Sequence, residues 1–255
     1  MRFKDVKAYI TGGQSGLGKA TADFIKEKGG KVAVIDLNKN YSKFSIIDAS
    51  SNNLKIFANV TEEDDVRKSF EAVFEHFSSI NLVVNCAGIG VAEKLVGKNG
   101  LHSIDLFQKV INVNLFGTFN VVREATNWMQ NNVVDDNNMR GVIINTSSIA
   151  AYDGQIGQAA YSASKGAVVS LTLPLARELA KYGIRVCTIA PGLFETPMLA
   201  GLPEKAYQNL INNTLLPKRL GNPSEFAKLV KAIYENDMLN GETIRLDGGI
   251  RLAPK

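Results

Sequence analysis

The chain of 255 residues has only two cysteines, Cys86 and Cys187, and only two histidines, His76 and His102. Both cysteines stand in apolar, strand-like runs, so they read as buried free thiols and not as a disulfide. Neither histidine has the spacing of a metal ligand, and no Cys/His cluster occurs, so no metal site is expected. No apolar run reaches the roughly 18 residues that a membrane-spanning helix needs. The stretch from Met1 to Lys7 enters the first strand almost at once and has no room for a signal peptide. Blocks of one charge are missing too. There are 29 Lys and Arg against 25 Asp and Glu, a net charge of +4, and the cations are scattered. That pattern describes a mildly basic, solvated surface and not a nucleic-acid groove. Internal repeats, linkers and low-complexity tracts do not occur.

What is present is a regular alternation of strand-like and helix-like segments. Short buried runs at 6–10, 31–36, 54–60, 80–88, 141–148, 184–190 and 241–248 read as strands. Helical patterns lie between them. The expectation is a single α/β domain over 1–255: a Rossmann-type, doubly wound parallel sheet of about seven strands with helices on both faces. His76 is placed on the solvent side of the helix after Thr61-Glu62-Glu63-Asp64, with Thr61 as its N-cap. The segment 90–103, holding Lys94, Lys98 and His102, reads as an exposed loop. A long helix is expected over about 104–130 and another to about Tyr182, kinked at Pro174. Asn222-Pro223-Ser224-Glu225 reads as a helix start with a cap, proline at the first position and an acid at the third.

Chemistry gathers where these strands end. The first is followed by Thr11-Gly-Gly-Gln-Ser-Gly-Leu-Gly18 and then a helix, the order of a phosphate-binding element. Glycines at 12, 16 and 18 permit a tight turn and let backbone approach a pyrophosphate at the helix N-terminus. Asp36 ends the second strand, eighteen residues beyond Gly18. A carboxylate there can accept from both adenosine ribose hydroxyls and repel a 2′-phosphate, and Ser15, Leu37 and Asn38 offer no cation to hold one. That selects NAD over NADP. Cys86, Ala87 and Gly88 end the fourth strand with small residues against which a flat ring can lie. Tyr161 and Lys165 share one helix face, one turn apart. A neighbouring ammonium favours the phenolate and lowers a tyrosine's pKa toward neutrality. Ser148, thirteen residues before Tyr161, sits at a strand's carboxyl end, where open α/β sheets bind ligands. By itself Tyr-x-x-x-Lys is a common accident on helices, and Asn114 amid apolar neighbours reads as a satisfied structural asparagine.

Together these stretches resemble the short-chain dehydrogenase/reductase family. The match rests on Thr-Gly-x-x-x-Gly-x-Gly at 11–18, Asn-Cys-Ala-Gly at 85–88, Asn114, Ser148, Tyr161-x-x-x-Lys165 and Pro191-Gly192. It runs over essentially the whole chain. The resemblance implies that Tyr161 exchanges the proton of the substrate oxygen and Ser148 hydrogen-bonds that oxygen. It implies that Lys165 binds the nicotinamide ribose and lowers the Tyr161 pKa, and that Asn114 holds a water that relays protons. Gly12, Ser15, Gly16, Leu17, Gly18, Asp36, Asn59, Val60, Cys86, Ala87, Gly88, Tyr161, Lys165, Pro191, Phe194 and Thr196 fall at its cofactor positions, and no metal is implied. Position 59 departs from the pattern, which has aspartate there to accept from the adenine amino group; Asn59 is expected to accept through its carbonyl oxygen.

The function expected is NAD-dependent, reversible oxidation of a 3-hydroxyacyl-CoA to the 3-oxo compound, with hydroxysteroids as further substrates. The alternatives are a 3-oxoacyl-[acyl carrier protein] reductase and, from another class, a partner in RNA processing by ribonuclease P. The resemblance also implies a homotetramer and a mitochondrial location, or a cytoplasmic one if the short N-terminus is complete. The connection 194–218, with Phe194, Met198, Leu199, Leu202, Leu210, Leu215 and Leu216, reads as an apolar substrate lid. Lys94 and Lys98 on the opposite side are expected to meet the phosphates of coenzyme A.

Overall fold

The computed structural model describes residues 1–37, 43–98, 100–197, 208, 210–211 and 214–254. Its strands are β1 (Lys7–Thr11), β2 (Lys31–Asp36), β3 (Ser45–Ser50), β4 (Asn53–Phe57), β5 (Leu82–Asn85), β6 (Val96–Gly97), β7 (Gly100–Leu101), β8 (Gly141–Thr146), β9 (Ile184–Pro191) and β10 (Thr243–Leu246). The helices are α1 (Gly16–Glu27), α2 (Glu63–Phe77), α3 (Ile104–Ile111), α4 (Gly117–Met129), α5 (Ala159–Leu179) and α6 (Pro223–Glu235).

Eight strands form one sheet in the order β10-β9-β8-β5-β1-β2-β4-β3. Every pairing is parallel except β3 with β4. The chain builds outward from β1 through β2 and β4, then returns to β5 on the other side and builds outward again. The reversal between β1 and β5 is the switch point at which open α/β sheets bind ligands. The sheet therefore has one strand more than the sequence patterning suggests, and that strand is antiparallel. All residues of β3 are exposed, so it carries no buried alternation from which a strand could be read.

Successive strand residues face opposite layers. Tyr9 faces one core with Phe70, Val73, Val121, Ala125, Ala176 and Leu179 of α2, α4 and α5. Ala8 and Ile10 face the other with Ile25 of α1 and Phe226, Val230 and Ile233 of α6. Tyr9 stacks on Phe70 with ring centroids 4.0 Å apart, and its hydroxyl meets Ser69 Oγ at 2.7 Å. Burying one such ring contributes about 2–3 kcal/mol. Both cysteines are free thiols, Cys187 buried and Cys86 half-buried.

The helix expected over 104–130 is one continuous rod in three parts. Between α3 and α4 the five residues Asn112–Phe116 form a π-helical turn, and Asn114 lies inside it. Such single wide turns often mark functional positions. Helix α5 runs unbroken through Pro174 and closes in a 3₁₀ turn over Ala180–Tyr182. α6 begins as its sequence dictates: Asn222 Oδ1 accepts from Ser224 N at 2.9 Å and Glu225 returns a bond to Asn222 N at 2.7 Å. α2 differs. Its N-cap is Glu62, not Thr61, because the Thr61 hydroxyl donates to Asn59 Oδ1 at 3.0 Å instead. The 90–103 segment is not all loop, since β6 and β7 pair as a short hairpin. His102 is not exposed there. Its side chain is only 7% accessible, with Nδ1 3.3 Å from Glu93 Oε2.

Candidate active site

Thr11, Asp36, Asn85, Thr146 and Pro191 are the last residues of five parallel strands, so one edge of the sheet collects them. Around β1 the chain closes tightly on itself. Gly12 has φ +64°, and a Cβ there would lie 2.8 Å from the backbone of Cys86 and Ala87. A Cβ on Gly18 would come within 2.3 Å of the Gly12 carbonyl oxygen. These two glycines thus permit chain-to-chain approach rather than only approach to a ligand. Gly16 has φ +51°, the left-handed conformation in which a side chain is strained, and its nearest neighbour is Thr196 at 3.4 Å. Thr11 Oγ1 accepts from both Cys86 N and Ala87 N at 3.1 Å and so welds the ends of β1 and β5. The sequence reading gave Thr11 no role; a hydroxyl ending an apolar strand is the signal for it.

Ser15 caps α1 by position only, without a side-chain bond to the helix. The first-turn amides of α1 have no helical acceptors, and Gly16 at its start carries no side chain over them. Asp36 stands beside this turn: Oδ2 accepts from Gln14 N at 2.8 Å and Oδ1 from Leu37 N at 2.7 Å. Each oxygen keeps a second acceptor site. A side-chain-free turn, open helix amides and an adjacent carboxylate fit a dinucleotide, with Leu17 half-buried beneath the turn and Thr196 above it. Asn38 lies outside the described residues.

Other expected cofactor positions serve the core with their side chains. Phe194 is buried, and its ring lies 2.7 Å from where a Cβ on Gly221 would stand. Val60 packs on α4, 2.6 Å from a Cβ on Gly117. Pro191 is buried at the end of β9. Asn59 is not the free acceptor expected. Its Oδ1 already accepts from Thr61 N at 3.1 Å and from the Thr61 hydroxyl at 3.0 Å.

At the other end of the crevice, Ser148 follows β8 and starts a 3₁₀ turn over Ile149–Ala151, with Oγ accepting from Ala150 N at 3.1 Å. Tyr161 lies on the first turn of α5, and Ser148 is the side chain that acts on its phenol. Lys165 lies one turn on. Its Nζ donates to the Thr146 carbonyl at 2.8 Å and sits 5.9 Å from the centre of the Tyr161 ring. A Cβ on Gly88 would be 3.4 Å from that Nζ and 3.1 Å from Asn114 Oδ1, so the bare end of β5 faces both residues.

The electrostatics differ from the expectation. Burial pushes the Tyr161 phenol above its ordinary 10, and the bond from Ser148 recovers only part of that. Lys165 is 5% exposed, and burial pushes its amine down to about 8. The direction of the Tyr161 shift thus follows burial and Ser148, while the Lys165 ammonium is itself desolvated and tied to Thr146. Beside it, burial pushes the Cys86 thiol up to about 11. Asn114 is satisfied by the protein, as its apolar surroundings suggest. Its Oδ1 accepts from Ile89 N at 2.8 Å, and its Nδ2 donates to the Ile89 carbonyl and to Ser164 Oγ, each at 3.0 Å. Ser164 Oγ in turn donates to the Tyr161 carbonyl at 2.7 Å. The amide ties the loop after β5 to the helix bearing Tyr161 with both its hydrogens, and Oδ1 keeps a second acceptor site.

A cavity of about 480 Å³ lies at the start of α5, lined there by Ala159 and Ser162 and not by Ser148, Tyr161 or Lys165. One wall is 154–159; the other is Glu93, Lys94, Leu95 and Val96. Among the described residues, the 194–218 connection does not line it. Lys94 stands at its lip, whereas Lys98 lies at the hairpin tip.

A dinucleotide cradle joined to a Ser–Tyr–Lys group at one sheet edge defines an oxidoreductase. The family model for short chain dehydrogenases matches residues 7–206, and the chain belongs to that family, whose members use NAD or NADP. It is 49% identical over 254 residues to a protein of Drosophila melanogaster named 3-hydroxyacyl-CoA dehydrogenase type-2, covering 99% of this chain and 100% of that one. It is 49% identical over 253 residues to the Homo sapiens protein of the same name, covering 98% and 97%. The crystal structure of 3-hydroxyacyl-CoA dehydrogenase type-2 from Mycobacterium avium superposes with a TM-score of 0.88 at 36% identity, over 99% of this chain and 98% of that one.

Proposed function

We propose that the chain oxidises the 3-hydroxy group of an acyl-CoA to the 3-oxo compound, reversibly and with NAD. The observation that carries this reading is the Ser–Tyr–Lys group on the sheet edge that holds the dinucleotide cradle, with a cavity at the start of the same helix α5. Leu95, Val96 and Ile156 give that cavity apolar walls for an acyl or pantetheine arm, and Lys94 gives its lip a cation for phosphate. The names borne by the two half-identical relatives support the same substrate class.

NAD, when bound, supplies the hydride acceptor or donor. The chain's residues handle binding and the proton. Asp36 faces the ribose and disfavours a 2′-phosphate. Ser148 Oγ holds the substrate oxygen, and Tyr161 gives that oxygen a proton in reduction or takes it in oxidation. Because burial raises the phenol's pKa, Tyr161 keeps its proton at neutral pH and is set for reduction; oxidation must quicken as pH rises. Lys165, with Nζ 5.9 Å from the centre of the Tyr161 ring, would hold the nicotinamide ribose. Asn114 keeps its place beside Tyr161 in this proposal, and so do the cofactor residues of the sequence pattern, except that Asn59 Oδ1 is taken up by Thr61.

An acyl-carrier-protein reductase is disfavoured by the carboxylate at position 36, which suits NADPH poorly. An RNA-processing role is disfavoured by surface cations held in local pairs, such as Lys19–Asp23, Arg67–Glu71 and Arg219–Glu225. Hydroxysteroids are second substrates of the same cavity. A mitochondrial location is part of the proposal by resemblance only, tested by fractionation. Among the described residues no helix is long and apolar enough to cross a membrane.

The cofactor half is tested by replacing Asp36 with Ala. Wild type should reduce acetoacetyl-CoA with NADH and hardly at all with NADPH, and Asp36→Ala should narrow that ratio by about tenfold or more. Equal use of NADPH by wild type would refute it.

A further inference from the structure

The 153–156 stretch of the cavity wall is held from the far end of the chain. Arg245, in β10, donates through Nη2 to Asp153 Oδ2 at 2.6 Å and to the Ile250 carbonyl at 3.1 Å. Its guanidinium carbon lies 5.1 Å from the centre of the Tyr152 ring. Gln155 Nε2 donates to the Ala253 carbonyl at 3.0 Å, and Ile156 N to the Pro254 carbonyl at 3.0 Å. Residues 153, 155 and 156 are thus each bonded to the segment 245–254. Asp153 itself lies between Ser148 and Tyr161 in the chain.

The other branch of Arg245 points to the cofactor side. Its Nε donates to Asp247 Oδ2 at 2.7 Å. The Asp247 side chain is only 8% exposed, and its Cβ lies 2.8 Å from where a Cβ on Gly192 would stand. Gly192 N donates to the Leu246 carbonyl at 2.9 Å. Asp247 therefore packs against the Pro191–Gly192 turn, which ends β9 at the cofactor edge. Arg251 approaches the same carboxylate at 3.4 Å, so Asp247 keeps a cation if Arg245 is lost, whereas among the described residues Asp153 has no other.

We propose that Arg245 is a positioning residue of the reaction. Its fork fixes the substrate wall, through Asp153, to the turn behind the cofactor, through Asp247, and so sets where the wall stands relative to Tyr161. Guanidinium suits this because it makes two charge-assisted bonds at a fixed angle, which a lysine cannot do. Both pairs are largely withdrawn from water, which screens them less than an exposed pair. This inference rests on the substrate cavity of the proposed function.

The test uses the full chain with Asp153→Asn, Arg245→Gln and Arg245→Lys. Asp153→Asn and Arg245→Gln should raise KM for acetoacetyl-CoA about tenfold while kcat stays within about threefold. Arg245→Lys should recover part of the loss. NADH affinity, read by fluorescence titration, should stay within about twofold for Asp153→Asn. Amide hydrogen exchange should quicken at 153–159 in both variants and stay unchanged at 7–18. Asp153→Asn removes one bond at constant volume and carries the test if Arg245→Gln does not fold. If wild type turns over no CoA thioester, the functional reading fails by itself; KM is then read on whichever ketone is reduced, and the exchange result still reports the strap. Unchanged exchange at 153–159 would overturn the proposal. So would faster exchange with wild-type KM, or equal losses of NADH affinity and KM.

Discussion

At Tyr161 burial and the Ser148 hydroxyl pull in opposite directions, and burial wins. Burial also lowers the Lys165 amine, to about 8. Tyr161→Phe removes the phenolic hydroxyl and keeps the ring. It should cut kcat by roughly 10²–10⁴ and leave NADH binding intact, which stopped-flow turnover and fluorescence titration read separately. Near-normal turnover would remove Tyr161 from the mechanism. Lys165 makes a second, opposite statement about stability. Between about pH 8, where the buried amine loses its proton, and 10.5, its ordinary value, the unfolded chain holds the extra proton. Stability contributed at this site is therefore gained as pH rises through that window and lost as pH falls through it. Lys165→Met lacks the group. Urea midpoints should shift in favour of wild type, relative to the variant, between about pH 7.5 and about pH 9.5. A constant difference would mean that the amine is not desolvated. Ser148, Tyr161 and Lys165 were legible in the sequence because their spacing on strand and helix is local. That Asn114 is satisfied was legible from its apolar neighbours, but its partners Ile89 and Ser164 were not, because the fold brings them in; the local turn by which Thr61 takes up Asn59 Oδ1 was missed.

Among the elements, the glycine turn and α6 were readable, because a left-handed φ and a capping box are written in consecutive residues. β3 and the β6–β7 hairpin were not, since exposed edge residues and two-residue strands leave no periodic trace. The π-helical turn was hidden for a related reason: its sequence is as apolar as the helix on either side. The hairpin still bears on substrate. Lys94 lines the cavity lip and Lys98 does not, so the two lysines should differ. Lys94→Ala should raise KM for CoA esters about tenfold, Lys98→Ala less, and neither should alter steroid turnover. Equal effects on steroids would detach the hairpin from CoA. The lid proposed over 194–218 keeps Leu215 and Leu216, 67% and 79% exposed, as apolar surface to close on substrate. Phe194 belongs to the core instead, and Met198, Leu199 and Leu202 lie outside the described residues.

For the whole molecule, strand–helix alternation was enough to give a doubly wound sheet, because parallel neighbours need helical crossovers and these are right-handed. It could not give the antiparallel edge. We read the chain as one folding domain that assembles as a homotetramer. Phe116 and Phe119, on the rod containing Asn114, are 59% and 44% exposed, and Leu173 on α5 is 45% exposed. Large apolar side chains on neighbouring helices suit an interface between copies. Light scattering at micromolar concentration should find particles of four chains of 27.7 kDa, and monomers alone would refute it. The central claim concerns substrate and cofactor together. It is tested most directly by steady-state reduction of a 3-oxoacyl-CoA series by wild type, with NADH and NADPH in parallel and with free short ketones and ketosteroids as controls. Reduction of acetoacetyl-CoA with NADH is expected, with longer esters bound more tightly by up to about 0.8 kcal/mol for each methylene buried. Good turnover of free ketones or sugars with no activity on any CoA ester would contradict it.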